Sequence, residues 1–342
     1  MRATSLIGLS LIALLVSAAA HAEQVKEIRI AVPDISAGST PSGGGITDVL
    51  HEQQLLEKEF EKDGIKVRWN YFKGAGPAIN EALANDQEDF AYLGDLAAIV
   101  GKAGGLDTRL LSAATRDIKL YLAVQPGSGI NSLEALKGKR VGIFRGTATQ
   151  LSFVSALASR GLKESDYKII NLDSNAASAA LAAKQIDATW SGAGVFALKA
   201  RGLAEVPLST VDLGNNGSVQ TVLLGTGAFV DQHPELVARL LKAQQPAVAW
   251  LRNEGNKEAY IELVSRQAGY PAVILRTDAA DQSLAKSFAP QLDAAFLDNL
   301  QHSADRALQA KLIRKPVDVK TWVEPRFLDA ALTPVETAQA SR

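Results

Sequence analysis

The most constraining feature of this sequence is a short apolar segment, residues 141–144, that leads through a turn of small residues into a helical pattern. Four residues reading Val-Gly-Ile-Phe are too few for a helix and predict a buried strand. The Gly-Thr-Ala-Thr turn at 146–149 follows, and apolar residues then recur on one helical face until Gly161, a residue type that commonly ends helices. The sequence therefore predicts a strand, a turn and a helix in direct succession.

The predicted 146–149 turn has the composition of an anion site. Behind Gly146, the hydroxyls of Thr147 and Thr149 and several free backbone N–H groups would lie at the positive end of a helix. This arrangement can bind a small oxyanion without a cationic side chain. A Thr at a helix start often only caps its own helix, and the turn alone does not decide between the two interpretations.

Strand and helix patterns alternate over the first two thirds of the chain, which predicts an α/β fold with mostly parallel sheets. In such sheets ligands bind at the carboxyl ends of the strands. Longer helices follow at 233–252 and 257–268, and they could form a separate domain or, more economically, wrap the first lobe. The predicted strands lie at 28–32, 65–72, 89–93, 109–114, 120–124, 141–144, 168–172, 187–190 and 219–224.

The order of elements before residue 118 is repeated after it, without a detectable sequence repeat. We therefore predict two lobes, each a sheet flanked by helices. Lobe 1 comprises residues 23–118 and 220–342, and lobe 2 comprises residues 119–219. The chain would cross between them twice, near 115–121 and near 215–222, and these crossings would serve as hinges.

Composition and the N-terminus predict where the protein works. A formal net charge of −1, with 21% charged residues, provides no basic surface for nucleic acid. Residues 1–22 have the form of a secretory signal peptide: Arg2, an apolar core over 6–16, and an Ala-His-Ala site ending at Ala22. The chain has no cysteine, hence no disulfide, thiolate metal site or lipid-anchored cysteine. We expect a soluble, uninserted periplasmic protein.

Catalytic and cofactor motifs are not found. The sequence contains no G-x-S-x-G, no Walker A and no G-x-G-x-x-G motif. His51-Glu52 begins like a zinc-protease helix, but residue 55 is Leu rather than a second His. We therefore expect no cofactor, no metal site and no catalytic residue.

Other candidate ligand contacts are residues at predicted strand ends or in Gly-rich loops. Besides the 146–149 turn they are Thr40, Gly76, Gly94, Asp95, Arg116 and Trp190. Each has a structural alternative. Asp95 could cap its own helix, Arg116 could lie on the surface, and Trp190 could be a core residue rather than the wall of a cavity.

Six short motifs, taken in order behind a signal peptide, resemble the solute-binding proteins of ABC importers for sulfonates, taurine and nitrate. The resemblance covers nearly all of the mature chain. The motifs are Gly76-Pro77, Leu93-Gly94-Asp95, the 132–142 segment, the 146–149 turn, Ile-Asp-Ala-x-Trp at 186–190, and His-Pro-Glu-Leu-Val at 233–237.

The resemblance implies a two-lobed periplasmic binding protein fold of type II that closes on its ligand and delivers it to an ABC permease in the inner membrane. The family's oxyanion contacts carry over to Thr147, Thr149 and the Gly94-Asp95 turn. The sequence departs from the family pattern in two places, a longer, Gly-rich 33–45 loop and Ser191-Gly192 after Trp190. Both belong to the part of the pocket that selects the organic tail of the ligand.

The leading hypothesis is that the protein is a component of an importer and binds an alkyl- or arylsulfonate. We expect it to be a monomer. One alternative is an enzyme on the same fold, resembling thiamine-pyrimidine synthases, although their iron motif is rich in cysteine and this chain has none. Another is a sensory protein that presents its ligand to a membrane receptor.

Overall fold

The computed structural model describes residues 25–333, which contain ten strands in two five-stranded sheets. The first sheet has the order β2-β1-β3-β10-β4 and the second the order β7-β6-β8-β5-β9. The strands are β1 (Glu27–Pro33), β2 (Lys66–Phe72), β3 (Phe90–Gly94), β4 (Thr108–Ile118), β5 (Tyr121–Val124), β6 (Arg140–Ile143), β7 (Lys168–Asn171), β8 (Ala188–Ser191), β9 (Glu205–Ser209) and β10 (Val219–Thr226).

Each sheet is mostly parallel. In the first, β1 pairs in parallel with β2 and β3, and β10 runs antiparallel to both β3 and β4, so four of the five strands share one direction. In the second, β5 is the strand that opposes the other four. The chain passes from the first sheet to the second between Ile118 and Tyr121 and returns between Ser209 and Val219. The α/β class and the two-lobed fold are thus confirmed.

Helices cover the sheets. They are α1 (Gly45–Gln53), α2 (Leu55–Glu61), α3 (Ala75–Ala84), α4 (Asp95–Gly104), α5 (Ala148–Ala158), α6 (Ser174–Ala182), α7 (Val195–Ala200), α8 (Gly227–Gln232), α9 (Pro234–Ala243), α10 (Gln245–Arg252), α11 (Lys257–Ala268), α12 (Ala272–Ala279), α13 (Leu284–Ser287), α14 (Ala294–Gln309) and α15 (Arg326–Leu332).

Strand β3 shows why the central strands are continuously apolar. Its side chains alternate between two cores, with Phe90 and Tyr92 in one and Ala91 and Leu93 in the other. Both faces of the strand are therefore buried under helices, as expected for parallel sheets. The second core includes Phe296 of α14, so the C-terminal helices complete the core of the first sheet rather than building a separate one.

Three local predictions differ from the structure. The helix predicted over 46–62 is divided at Gln54, whose φ of 52° interrupts the helical backbone. The helix predicted over 233–252 is divided between α9 and α10, where Pro246 lies in the first turn of α10 and cannot donate an N–H. Strand β9 was not predicted, because Pro207 lowers the strand propensity of its sequence. The proline is tolerated there because β9 lies at a sheet edge.

Within residues 25–333, no helix combines the length and the apolar character needed to cross a membrane. The predicted signal peptide, residues 1–22, lies outside the described part of the chain.

Candidate functional site

A cavity of about 790 Å³ lies between the two sheets. Its walls come from both lobes and include the segments that follow β1, β3, β6, β7 and β8. These five strands are mutually parallel within their sheets, so the segments after them lie at the carboxyl edges, where α/β folds bind ligands. The cavity is therefore placed where the strand pattern predicts a site.

Helices of both lobes begin at this cavity. The lining includes residues from the first turn, or from the turn immediately before it, of several helices, among them α1, α3, α4, α5, α6 and α7. The first turn of a helix carries unpaired N–H groups and a partial positive charge. The convergence of these ends makes the cavity a favourable environment for an anion.

The start of α5 differs in detail from the predicted hydroxyl site. Thr147 is buried, and its hydroxyl donates to the Phe144 carbonyl at 2.7 Å, so its proton is not available to a ligand. Thr149 also lines the cavity, and its hydroxyl makes no hydrogen bond within the described residues. The Ala148 and Thr149 amides are likewise free of partners in that range. The N-cap residue of α5 is Thr147, and its side chain makes no capping hydrogen bond. Thr149 lies inside the helix, so neither Thr side chain caps α5.

Three glycines allow the lobes and helices to approach each other at this end of the cavity. A Cβ on Gly94 would lie 2.8 Å from the Cβ of Ala148, which belongs to the other lobe. A Cβ on Gly76 would lie 2.2 Å from that of Ala97, and one on Gly146 would lie 2.9 Å from Cγ of Pro77. Gly76 and Gly94 line the cavity, and Gly146, with φ of 76°, shapes the turn behind it.

Arg116 lies at the cavity wall, but its guanidinium is committed elsewhere. Nε donates to the Ala289 carbonyl at 2.9 Å, Nη2 donates to the Gln291 carbonyl, and Nη1 pairs with Asp293 at 2.8 Å. The group also stacks over the Phe296 ring at 4.9 Å. Arg116 therefore fixes the 289–296 segment to β4, a role that neither the anion-clamp nor the surface interpretation anticipated.

Asp95 does not line the cavity. It is only 2% exposed, and it accepts hydrogen bonds from the Leu96 amide at 2.7 Å and from Ser303 Oγ at 3.4 Å. Burial raises the pKa of Asp95 to about 7, against an ordinary value of 3.8. Its carboxylate serves the start of α4 and the contact between α4 and α14.

Replacing Asp95 with asparagine should change how stability depends on pH. Because the pKa is raised in the folded state, the native protein binds more protons than the unfolded chain between about pH 4 and pH 7, and its stability falls as pH rises through that window. In D95N this fall should be reduced, and the variant should be more stable than the wild type at pH 8. Urea unfolding at pH 5, 6, 7 and 8 measures this, with the exposed Asp298→Asn as control. Parallel pH profiles for D95N and the wild type would contradict it.

Two further predictions about the site need correction. Trp190 is only 1% exposed and does not form a wall of the cavity: it belongs to the core of the second sheet, and its Nε1 donates to Ser152 Oγ at 2.8 Å. An inward-facing position on β8 packs it against α5 rather than toward the cleft. Thr40 is exposed in the 34–44 loop and is not among the residues that line the cavity, whereas Gly43, Gly44 and Gly45 are.

The largest part of the lining that the sequence did not indicate comes from residues 260–288. Tyr260, Tyr270, Asp278 and Phe288 belong to it. No motif or strand end marks this segment, because it reaches the cavity only through the wrapping of the C-terminal helices.

The mouth of the cavity is bridged by contacts between the lobes. Asn175 Nδ2 donates to the Ser36 carbonyl at 3.2 Å. The Tyr270 hydroxyl donates to the Ile35 carbonyl at 3.3 Å, while its ring lies 3.1 Å from the position that a Cβ on Gly194 would occupy. These contacts join the 34–44 loop of the first lobe to α6 and the 191–194 turn of the second.

The charges around the cavity are largely paired. Four basic side chains line it, and three of them form ion pairs: Lys73 with Asp34 at 3.4 Å, Arg116 with Asp293 at 2.8 Å, and Lys119 with Asp281 at 2.5 Å. The fourth, Arg201, is exposed. The donors that remain for an anion are thus mostly neutral, and the helix starts provide them.

Comparison with known proteins agrees with this geometry. The family model described as NMT1/THI5 like matches residues 59–257. The chain belongs to this family. The matched segment runs from within α2 to the first residue of α11 and so contains the second sheet and both crossings.

Individual relatives cover nearly the whole chain. A protein of Bacillus subtilis (strain 168), assigned as an aliphatic sulfonates-binding protein, is 28% identical over 319 residues, which is 91% of this chain and 89% of that protein. A structure from Methylobacillus flagellatus KT, assigned as the periplasmic sulfonate-binding protein of a sulfonate ABC transporter, is 28% identical with a TM-score of 0.76 and covers 90% of this chain and 94% of its own. The desulfurization enzyme DSZB shares the fold at 18% identity, with a TM-score of 0.65 and coverage of 89% and 99%.

Proposed function

We propose that this protein is the periplasmic substrate-binding component of an ABC importer. It captures a small organic oxyanion, an alkyl- or arylsulfonate above all, in the cleft between its lobes and delivers it to a permease in the inner membrane. The observation that carries the proposal is the convergence of helix starts from both lobes on a cavity whose basic side chains are mostly paired already. The sulfonate-binding assignments of the two relatives supply the ligand class.

The chemistry of binding follows from the donors at the start of α5. Sulfonate oxygens would accept hydrogen bonds from the Ala148 and Thr149 amides and from the Thr149 hydroxyl. Fixed N–H groups and a helix dipole stabilise a dehydrated anion without a counter-charge. The organic part would lie against apolar side chains that line the cavity, among them Ile46, Val264, Leu275 and Phe288. Binding between the lobes would favour the closed arrangement, and the bridging contacts at the mouth would form with it.

The same proposal includes the lobe boundaries, export after residue 22, a monomeric state and the pairing with a permease. Two crossings that join separate sheets support hinge closure, and the predicted signal peptide supports a periplasmic location. In this arrangement residues 23–118 and 220–342 form one lobe and residues 119–219 the other.

An enzymatic role is the alternative that the comparisons raise, since DSZB has the same fold. Binding is favoured because no cysteine or histidine occurs among the described residues that line the cavity, and two of its three carboxylates hold structural hydrogen bonds. Recovery of a bound sulfonate, chemically unchanged, from denatured protein separates the two roles.

A thermal-shift panel tests the proposal. Purified mature protein is heated with hexane-1-sulfonate, benzenesulfonate, taurine, sulfate, nitrate or hexanoate. A ligand that binds only the folded state at one hundred times its Kd stabilises it by about 2.7 kcal/mol, so the matching sulfonate should raise Tm by several degrees. Hexanoate, a planar carboxylate whose alkyl chain is one carbon shorter, serves as the carboxylate control for hexane-1-sulfonate. Shifts with carboxylates alone would overturn the sulfonate assignment, while leaving a binding role intact.

A further inference from the structure

Asp278 of α12 is a carboxylate at the cavity wall that forms no ion pair with any described side chain. Its Oδ1 accepts a hydrogen bond from the Tyr121 hydroxyl at 2.5 Å, and Oδ2 makes no hydrogen bond within residues 25–333. The nearby ammonium of Lys119 donates to the Asp278 carbonyl and pairs with the Asp281 carboxylate at 2.5 Å. The one side-chain donor that Asp278 receives is therefore a neutral hydroxyl.

Each of the other two carboxylates in the lining holds a loop or a helix start in place. Asp34 accepts from the Ser36 and Ser42 amides and pairs with Lys73, which holds the 34–44 loop in place. Asp173 accepts from the Asn175 and Ala176 amides and so caps α6. Asp278 differs from both because no loop or helix start depends on its side chain.

The surroundings of Asp278 make its charge costly without a ligand. Leu275 and Ala279 of the same helix line the cavity beside it, and Tyr260 and Phe288 contribute aromatic surface. Burial raises the pKa of Asp278, and the Tyr121 hydrogen bond and the charge of Lys119 only partly oppose this. A cationic hydrogen-bond donor on the ligand would compensate the buried carboxylate.

The sheet topology separates this carboxylate from the proposed oxyanion site. Tyr121 begins β5 and is paired with Ser191 at the end of β8, so it lies at the same sheet edge as the turn after β6. The strand order β6-β8-β5 places these two positions two strand spacings apart, roughly 10 Å.

From this geometry, and resting on the proposed function, we propose that the ligand is zwitterionic. Its sulfonate binds at the start of α5, and an amine at the far end of its organic part binds the Asp278 carboxylate. The substrate class is then an amine-bearing alkyl- or arylsulfonate. Asp278 is the residue that distinguishes it from a simple alkanesulfonate.

Calorimetric titration with a matched pair of ligands tests this inference. In 6-aminohexane-1-sulfonate an ammonium replaces the terminal methyl of heptane-1-sulfonate, and the two are otherwise alike in length and in the sulfonate. The wild type should bind the amino compound roughly ten- to a hundredfold more tightly, the range expected for a hydrogen bond between charged groups in a cleft.

The variant Asp278→Asn should lose this preference and bind both ligands alike. Asparagine retains an acceptor for the Tyr121 hydroxyl, so the fold should be preserved, and a Tm measured without ligand checks it. Asp298→Asn removes the same charge from an exposed position on α14 and should behave as the wild type.

Each remaining outcome has a definite meaning. Equal binding of the two sulfonates by the wild type overturns the inference and leaves the proposed function standing. A preference that persists in D278N overturns the assignment to Asp278. A wild type that binds no sulfonate counts against the proposed function itself, and the inference falls with it. The comparison of two ligands on the wild type does not depend on how the variant folds.

Discussion

Sulfonate affinity is expected to fall by roughly ten- to a hundredfold when Thr149 is replaced by valine. The Thr149 hydroxyl lines the cavity and is free of other hydrogen bonds within the described residues, so it is available to an oxyanion. A hydrogen bond to a charged group contributes about 1.5–3 kcal/mol, which corresponds to one to two decades in Kd. Valine keeps the side-chain shape, and Tm without ligand should change little. Calorimetric titration with the best ligand of the thermal-shift panel measures the effect.

The neighbouring Thr147→Val is the matched control, because the structure assigns its hydroxyl a different task. That hydroxyl donates to the Phe144 carbonyl at 2.7 Å and is buried, so its loss should cost about 1 kcal/mol of stability and leave affinity nearly unchanged. The opposite pattern, in which affinity depends on Thr147 and not on Thr149, would mean that the anion lies on the other side of the turn.

The second large effect is expected from Gly94→Val. A Cβ at this position would lie 2.8 Å from the Ala148 Cβ and 3.8 Å from the Ala148 amide nitrogen, where the oxyanion is proposed to bind. Valine would therefore push the two lobes apart at the cavity and occupy part of the anion site. Overpacking typically costs 1–3 kcal/mol, so affinity should fall by about one to two decades. Titration of the variant with the same ligand provides the measurement.

Gly104→Val, at the other end of the same helix, is the control for this substitution. Apart from its chain neighbours and the backbone of its own helix, no atom of the described residues lies within 4 Å of a Cβ on Gly104, and the affinity of this variant should match that of the wild type. If G94V also bound the ligand as tightly as the wild type, the close approach of α4 and α5 would have no part in binding. A lowered Tm with normal affinity would assign Gly94 to packing alone.

Together these two variants distinguish a site built on backbone donors from one built on charged side chains. The wall cations are mostly paired with carboxylates, and Arg116 in particular is engaged with the 289–296 segment. An anion held by neutral donors does not have to break an ion pair on entry or re-form one on release. Such an arrangement suits a protein that must give up its ligand.

Much of the fold could be predicted because its main elements are specified locally. Each central strand is a short apolar run between turn residues, and strands such as β3 are apolar throughout because both faces are buried. The structure differs from the local predictions at Gln54, at Pro246 and in β9. Each difference is caused by a single backbone angle or a proline, and hydrophobic periodicity does not reveal either of these.

The candidate site was predictable only in part. The 146–149 turn, Gly76 and Gly94 could be placed at the cleft because they follow strands whose carboxyl ends must meet there. Arg116, Asp95 and Trp190 also lie at or near strand ends, yet their side chains point to α14, into α4 or into the core of the second sheet. Side-chain direction at a strand end depends on what packs beyond it, and that comes from distant parts of the chain.

Local periodicity, turn chemistry and the direction of parallel strands are enough to predict the alternation of strands and helices, the two-lobed class and the small-residue turn at the start of α5. Long-range packing, in contrast, selects the hydroxyl of that turn that faces the cavity and pairs Arg116 and Lys119 with carboxylates. It also brings Asp278 to the same cavity from a segment more than a hundred residues away. The physical reason is that hydrogen bonds and ion pairs of this kind join residues distant in sequence, and which partner each group finds depends on how the C-terminal helices pack against both lobes.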